Sequence, residues 1–249
     1  MFGLRPKLPV TEEERQWVDD GFRRLSQELG TNRLRNARVI LPTDEFFPDT
    51  YDSSEAGLRI IFRRVCGYMQ VDPSSVDLEI IPDSSEVFEM LPAYNRLPDG
   101  PAGLHFGANH AEELPLIAVR QKLLKDPLVL VATIAHELGH VILLGGGHLR
   151  RDEEDMEPMT DLVTVYLGLG IFTANSSRRF RQFQEDRRYG WSMGRLGYLP
   201  EVVYGYALAR FAIDRGDDQP TWTPHLSTNL KVYFQQSMAW LKKNAISAQ

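Results

Sequence analysis

Two histidines four residues apart with a glutamate directly after the first, His136-Glu137-Leu138-Gly139-His140, are the residues best placed to do chemistry in this chain. On a helix, positions i and i+4 lie one turn apart on the same face. Two imidazoles so placed reach one tetrahedral Zn²⁺ at about 2.0–2.1 Å. Glu137 is rotated by about 100° from His136 on the helix, so it lies beside such a metal and not on it. From there a carboxylate takes a proton from a water activated by the metal and passes it to a leaving amine.

The surrounding residues predict the helix that this chemistry needs. Within Leu128–Leu144 the only charged residue is Glu137, and the other polar side chains are Thr133, His136 and His140. Apolar residues on every face predict a helix buried all round. A carboxylate there is costly unless it has a partner or a function. Asp126-Pro127 reads as a cap followed by proline at the first helical position, and Gly145-Gly146-Gly147 as the stop. This is the helical HExxH metallopeptidase motif in its required context. The plainer reading of the same residues is a core helix whose His and Glu are satisfied by neighbouring side chains.

A catalytic zinc takes three protein ligands and keeps one position open. The metzincin pattern is excluded, because it needs Gly three and His six residues beyond the second His, and Leu143 and Gly146 stand there. His148 follows the three glycines and is one candidate. The acidic run Asp152 to Asp161 holds others. Acids at a helix start are expected for dipole reasons alone. Glu157 and Asp161 stand apart, because they are spaced i, i+4 and lead into the apolar run Leu162–Leu167. On spacing alone His148, Glu154, Glu157 and Asp161 all stay open as third ligand.

With these residues in place the sequence resembles the gluzincins, the metallopeptidase group that includes thermolysin. That group carries HExxH on one helix and a Glu on the following helix, commonly with Asp four residues later. His136, Glu137 and His140 match the first motif, and Glu157 matches the third ligand. Asp161 matches the Asp that hydrogen-bonds a zinc-bound His and holds its ring in place. The resemblance implies one Zn²⁺ per chain, Glu137 as general base and then general acid, and a peptide or protein substrate. It also implies that the strand Leu114–Arg120 is an edge strand along which an extended substrate aligns. The resemblance covers Leu114 to Asp161, about a fifth of the chain. Two departures stand out: Pro158 directly follows Glu157, and sixteen residues separate His140 from Glu157.

The elements that position these residues are predicted from pattern. Thr11-Glu12-Glu13-Glu14 reads as a capping box opening a helix to about Gly30, with Trp17, Phe22, Leu25 and Leu29 inward. Ala37–Leu41 reads as a short strand and Pro42–Ser53 as a loop. Leu58, Ile61, Phe62, Val65 and Met69 predict a second helix over Ser54–Gln70. The alternation at Val76, Leu78 and Ile80 predicts a strand, with further strands at Gly103–Gly107 and Leu114–Arg120 and a loop over Leu91–Gly103. Helices are expected over Met156–Ala174, over Leu199–Arg215 and from Thr223-Pro224 to about Lys243. The expected class is α+β and zincin-like: one domain, with a mixed half over 1–147 ending in the HExxH helix and a helical half over 148–249.

Composition bounds the function. The 249 residues include 28 basic and 34 acidic side chains, a formal net charge of −6, with 43% hydrophobic and 25% charged residues. An acidic balance argues against a broad nucleic-acid or anionic-membrane surface. The arginines at 178, 179, 181, 187 and 188 form a basic patch diluted by Glu185 and Asp186, read as a solvated loop over Ser176–Gly190. The single cysteine, Cys66, forms neither an internal disulfide nor a Cys-rich zinc site and suits a reducing compartment. The apolar run Leu128–Leu144 is interrupted by His and Glu and is shorter than the ~20 residues that span a bilayer. With no apolar signal core after Met1, the expectation is a cytoplasmic chain. Tyr198, Tyr204, Tyr206 and His225 are available to steady an oxyanion, with core packing the expected role of Tyr204 and Tyr206, and His105 and His110 read as surface or turn residues. Substrate specificity and oligomeric state are not encoded in these patterns. Two other function classes stay open: a non-catalytic metal-binding or regulatory protein on the same core, and a helical interaction protein without metal.

Overall fold

The computed structural model describes residues 7–83, 103–106, 114–150, 153–182 and 199–247, with the backbone alone at 103–106, 178–182 and 245–247. The described chain is mixed α/β and mostly helical. Helix α1 (Glu12–Leu29) opens on the capping box, with Glu14 N–H donating to Thr11 Oγ1 at 3.2 Å and Thr11 N–H to Glu14 Oε2 at 2.7 Å. It buries Val18, Phe22 and Leu25, while Trp17 and Leu29 are half-buried at the margin. A short helix α2 (Thr31–Asn36) follows Gly30. Residues Ala37–Leu41 are not a strand; Ile40 N–H donates to Gly168 O at 2.9 Å, so they lie along a helix-breaking turn and not in the sheet. Helix α3 (Glu55–Met69) is capped by Ser54 and buries all five residues of the predicted face.

The sheet has three strands, β1 (Asp77–Ile81), β2 (Gly103–Phe106) and β3 (Leu116–Arg120), in the order β1-β3-β2. β1 runs parallel to β3, with Leu78 opposite Ile117, and β2 runs antiparallel to it, with His105 opposite Ile117. The strand expected at an edge is therefore the central one, flanked on both sides. Its sequence fits that place: Ile117, Ala118 and Val119 are consecutive and all buried, as a strand covered on both faces requires. Among the described residues the outer antiparallel strand is β2.

A 3₁₀ turn (Gln121–Lys125) leads to α4 (Pro127–Gly145), capped by Asp126, whose Oδ1 accepts from Val129 N–H at 3.2 Å. Helix α4 is long and apolar enough to cross a bilayer by length and composition, and most of it is buried inside the protein. It packs against α3, β2, β3 and the two helices that follow. Those are α5 (Met156–Tyr166) and α6 (Gly170–Gln182). The single helix expected over Met156–Ala174 is broken at Gly168, which adopts φ +90° with Arg38 O pressed where a Cβ would sit. Only glycine fits that turn. Helix α6 also carries Ser176 and Ser177, both buried, so the solvated loop expected from Ser176 begins inside a helix. The rest of that basic stretch, from 183 to 190, lies outside the described residues, as do Leu91–Ala102, His110 and Tyr198.

Helix α7 (Glu201–Asp214) follows Pro200 and packs along α8 (Thr228–Ser247), with Gly205 pressed against Tyr233. The last helix begins five residues later than expected, because Thr223–His225 forms a separate 3₁₀ turn. Buried side chains of every helix join β1 and β3 in one continuous hydrophobic cluster around α4.

Candidate metal centre

The centre is built by two consecutive helices. His136, Glu137 and His140 lie in the second half of α4, and Glu157 and Asp161 in the first two turns of α5. The helices approach closely because Gly139 has no side chain: a Cβ there would lie 2.9 Å from Thr160 Cγ2 and 3.1 Å from Val163 Cγ1. Pro158 is accommodated because it stands in the first turn of α5, where its missing N–H has no intrahelical acceptor to lose.

His136 is 3% exposed, Glu137 4%, His140 6% and Asp161 1%. Nε2 of His136 lies 3.0 Å from Glu157 Oε2, and Nε2 of His140 lies 3.4 Å from the same oxygen. These separations bracket the roughly 3.3 Å expected between ligand atoms around a tetrahedral zinc at about 2.0–2.1 Å. The ligand atoms of His136, His140 and Glu157 all lie within 4.8 Å of one another. Glu157 is about a third exposed in its side chain, so the site opens on that side (34%).

The far sides of both rings are occupied. Asp161 Oδ1 accepts from His136 Nδ1 at 2.8 Å, and Asp161 Oδ2 accepts from Leu199 N–H at 2.7 Å. His140 Nδ1 lies 3.1 Å from Thr160 Oγ1. A carboxylate only accepts, so the His136 proton belongs on Nδ1. The Nε2 lone pair of His136 then faces a second carboxylate, that of Glu157. Lone pair against carboxylate is repulsive unless a positive charge sits between them. A second proton on His136 would supply that charge, and so would a bound cation. Burial alone would lower the proton affinity of His136, but the hydrogen bonds and charges of Asp161 and Glu157 outweigh it and hold its pKa well above the ordinary value. Glu157 mirrors this: burial would raise its pKa, and the imidazoles of His140 and His136 hold it well below the ordinary carboxylate value. A point with such demand for positive charge, ringed by two imidazole nitrogens and one carboxylate, fits a divalent cation of the zinc class.

Glu137 differs from its neighbours. Among the described residues its carboxylate has no hydrogen-bond partner. Burial raises its pKa, partly offset by the two imidazoles and reinforced by the Glu157 charge. A carboxyl whose proton affinity is raised by burial therefore lies beside the point that His136, His140 and Glu157 share.

The structure also places the alternatives. His148 turns back over Gly146 and donates from Nδ1 to Glu28 Oε2 at 2.7 Å, on α1 and away from the imidazole pair. Glu154 is exposed. Asp161 bonds the outer nitrogen of His136, not the side that faces His140 and Glu157. Tyr204 and Tyr206 are core residues, with Tyr206 OH donating to Asp19 Oδ1 at 3.0 Å. His225 lies in the 3₁₀ turn, where its carbonyl accepts from Asn175. No described residue takes the oxyanion role. Thr160, the Leu199 N–H and Gly139 were not legible as site residues in the sequence; the one signal that existed was the glycine inside HELGH, facing the next helix.

A pocket of about 210 Å³ lies elsewhere, between α3 and the first half of α4, walled by Phe47, Ile60, Ile61, Leu128, Val131 and Phe172. Its charged groups include Arg64 and Asp49, which pair with each other, and it contains none of the site residues. The pocket is thus separate from the helix pair that carries His136, Glu137, His140 and Glu157. Comparison with protein-family models, with curated proteins and with solved structures finds no match to this chain.

Proposed function

We propose that this chain is a zinc-dependent hydrolase of peptide bonds, with the zincin-like arrangement and the gluzincin-type ligand set that its sequence resembles. The observation that carries the reading is the convergence of His136 Nε2, His140 Nε2 and Glu157 Oε2 on one point, beside the buried carboxyl of Glu137. His136, His140 and Glu157 would hold one zinc, which when bound supplies Lewis acidity toward a peptide carbonyl and acidifies water. Asp161 fixes the His136 ring from behind. Glu137 is free of protein partners among the described residues, so its oxygens are available to accept a proton from the attacking water. The same carboxyl, once protonated, donates to the departing amine, and burial favours that protonated form. The substrate is a peptide or protein.

Three measurements test this together: zinc per chain by elemental analysis, cleavage of a peptide library, and its sensitivity to chelator. About one zinc per chain with chelator-sensitive cleavage is expected. Glu137→Gln should keep the metal and lower turnover by roughly 10²–10⁴-fold, the usual contribution of a general acid–base, whereas His136→Ala should lose both. Undiminished turnover in Glu137→Gln would refute the proton role.

A second reading rests on a specific observation. His136 already bridges Asp161 and Glu157 in a closed network, so the same residues could serve as a buried polar lock in a helical interaction protein. Absence of zinc from protein purified without chelator, with His136→Ala unfolding, would favour it. A folded protein that binds zinc and cleaves no peptide would instead favour a non-catalytic metal-binding role.

A further inference from the structure

The two rings are steadied differently. His136 leans on the side-chain oxygen of an acid, Asp161, whereas the outer nitrogen of His140 meets a hydroxyl, that of Thr160. A hydroxyl has one proton to give. Thr160 Oγ1 lies 2.8 Å from the carbonyl of Met156, one turn back on α5, and a carbonyl only accepts. The Thr160 proton is therefore committed to Met156 O, and toward His140 the same oxygen acts as acceptor. Thr160 itself is fully buried, so no water competes for either bond. Its methyl seats against Gly139, which fixes the side chain's rotation and with it the direction of the hydroxyl.

We infer that Thr160 is a positioning residue that fixes a proton on Nδ1 of His140: it accepts that proton, donates its own to the Met156 carbonyl, and so leaves Nε2 as the nitrogen that faces Glu157 and His136. The choice of which imidazole nitrogen binds a metal is made by the hydrogen bond of the other. The group behind His136 is an acid, while the hydroxyl behind His140 orients its ring without being one. The inference rests on the proposed metal site for its consequence, but its structural content, a proton on Nδ1 of His140, does not.

Two measurements decide it. Thr160→Val keeps the shape and the methyl against Gly139 and removes only the hydroxyl. Zinc affinity, read by competition with a chromophoric chelator, should fall by about 10–100-fold, and Thr160→Ser should restore it. Long-range ¹H–¹⁵N correlations of the metal-free wild type should show His140 with a proton on Nδ1, and Thr160→Val should lose that preference. Zinc binding by Thr160→Val within about twofold of wild type, set against that 10–100-fold, or a wild-type His140 with an unprotonated Nδ1, overturns the inference. Failure of wild type to take up any zinc overturns the hydrolase reading instead, and the ring spectrum still decides Thr160. Where Thr160→Val does not fold, the wild-type spectrum decides alone.

Discussion

Asp161 receives two donors at once, the His136 imidazole and the Leu199 backbone N–H, and it is almost wholly buried. A carboxylate accepts on both oxygens, whereas an amide accepts on one and donates from the other. Asp161→Asn therefore leaves one of the two buried donors facing another donor, unless the His136 proton moves to Nε2, the nitrogen on the Glu157 side. The expected cost is about 1–3 kcal/mol of stability for the unsatisfied group, together with about 10–100-fold weaker zinc binding from the loosened ring. Urea denaturation and chelator competition read the two effects separately. An Asn variant indistinguishable from wild type in both would show that neither bond matters. Asp161 also ties the start of α7 to the site through Leu199, so a single side chain links three helices of the chain.

At the scale of elements, the site depends on how closely α5 lies against α4. Gly139 is the position that permits it, and it is helical with ordinary φ, so its role is space and not backbone freedom. Gly139→Ala should destabilise the protein by about 1–3 kcal/mol, the usual cost of overpacking, and should weaken zinc binding by moving Glu157 away from the imidazoles. Gly67 is the control. It is an exposed helical glycine in α3 with no heavy atom within 4 Å of where its Cβ would sit. Gly67→Ala should stabilise by about 0.5–1 kcal/mol, because alanine loses less backbone entropy in a helix. Denaturation midpoints of the two variants shifting in the same direction would contradict the packing argument.

At the scale of the whole molecule, the site couples folding to pH. The pKa of His136 is raised by folding, so its contribution is fully present below its ordinary value of 6.5 and is lost as pH rises through the raised value. The pKa of Glu157 is lowered, so its contribution is present above its ordinary 4.5 and is lost as pH falls through the depressed value. Glu137 is raised by burial, so above its ordinary 4.5 the folded state resists an ionisation that the unfolded chain undergoes, and stability falls with rising pH. Together they predict that the metal-free protein melts at a higher temperature near about pH 5.5 than near about pH 8.5. On the proposed reading zinc would compete with the same protons, so the rise in melting temperature on adding zinc should be larger at the higher pH. A metal-free melting temperature that is flat or rising across this interval would count against the charge arrangement. The buried Cys66 adds a quiet background: burial pushes its thiol up to about 12, so it is a packed apolar group and not a reactive one.

What was legible in the sequence is what local pattern carries. The cap at Asp126, the continuous apolar run and the glycine stop determine α4, because helix ends and buried faces are set by residues within a few turns of one another. The same holds for the capping box of α1 and the buried face of α3. The i, i+4 spacing alone places His136 and His140 on one face. Contacts between distant segments are not written in such periods. Arg38 against Gly168 breaks the expected long helix, Glu28 takes His148 away from the imidazoles, and a strand on either side makes β3 central. Thr160 and the Leu199 N–H enter the site only because Gly139 lets one helix settle on another. Spacing along the chain therefore determined which groups share a face, and only the docking of that face against α5 decided which of them meet, since a partner's side of the contact lies elsewhere in the sequence.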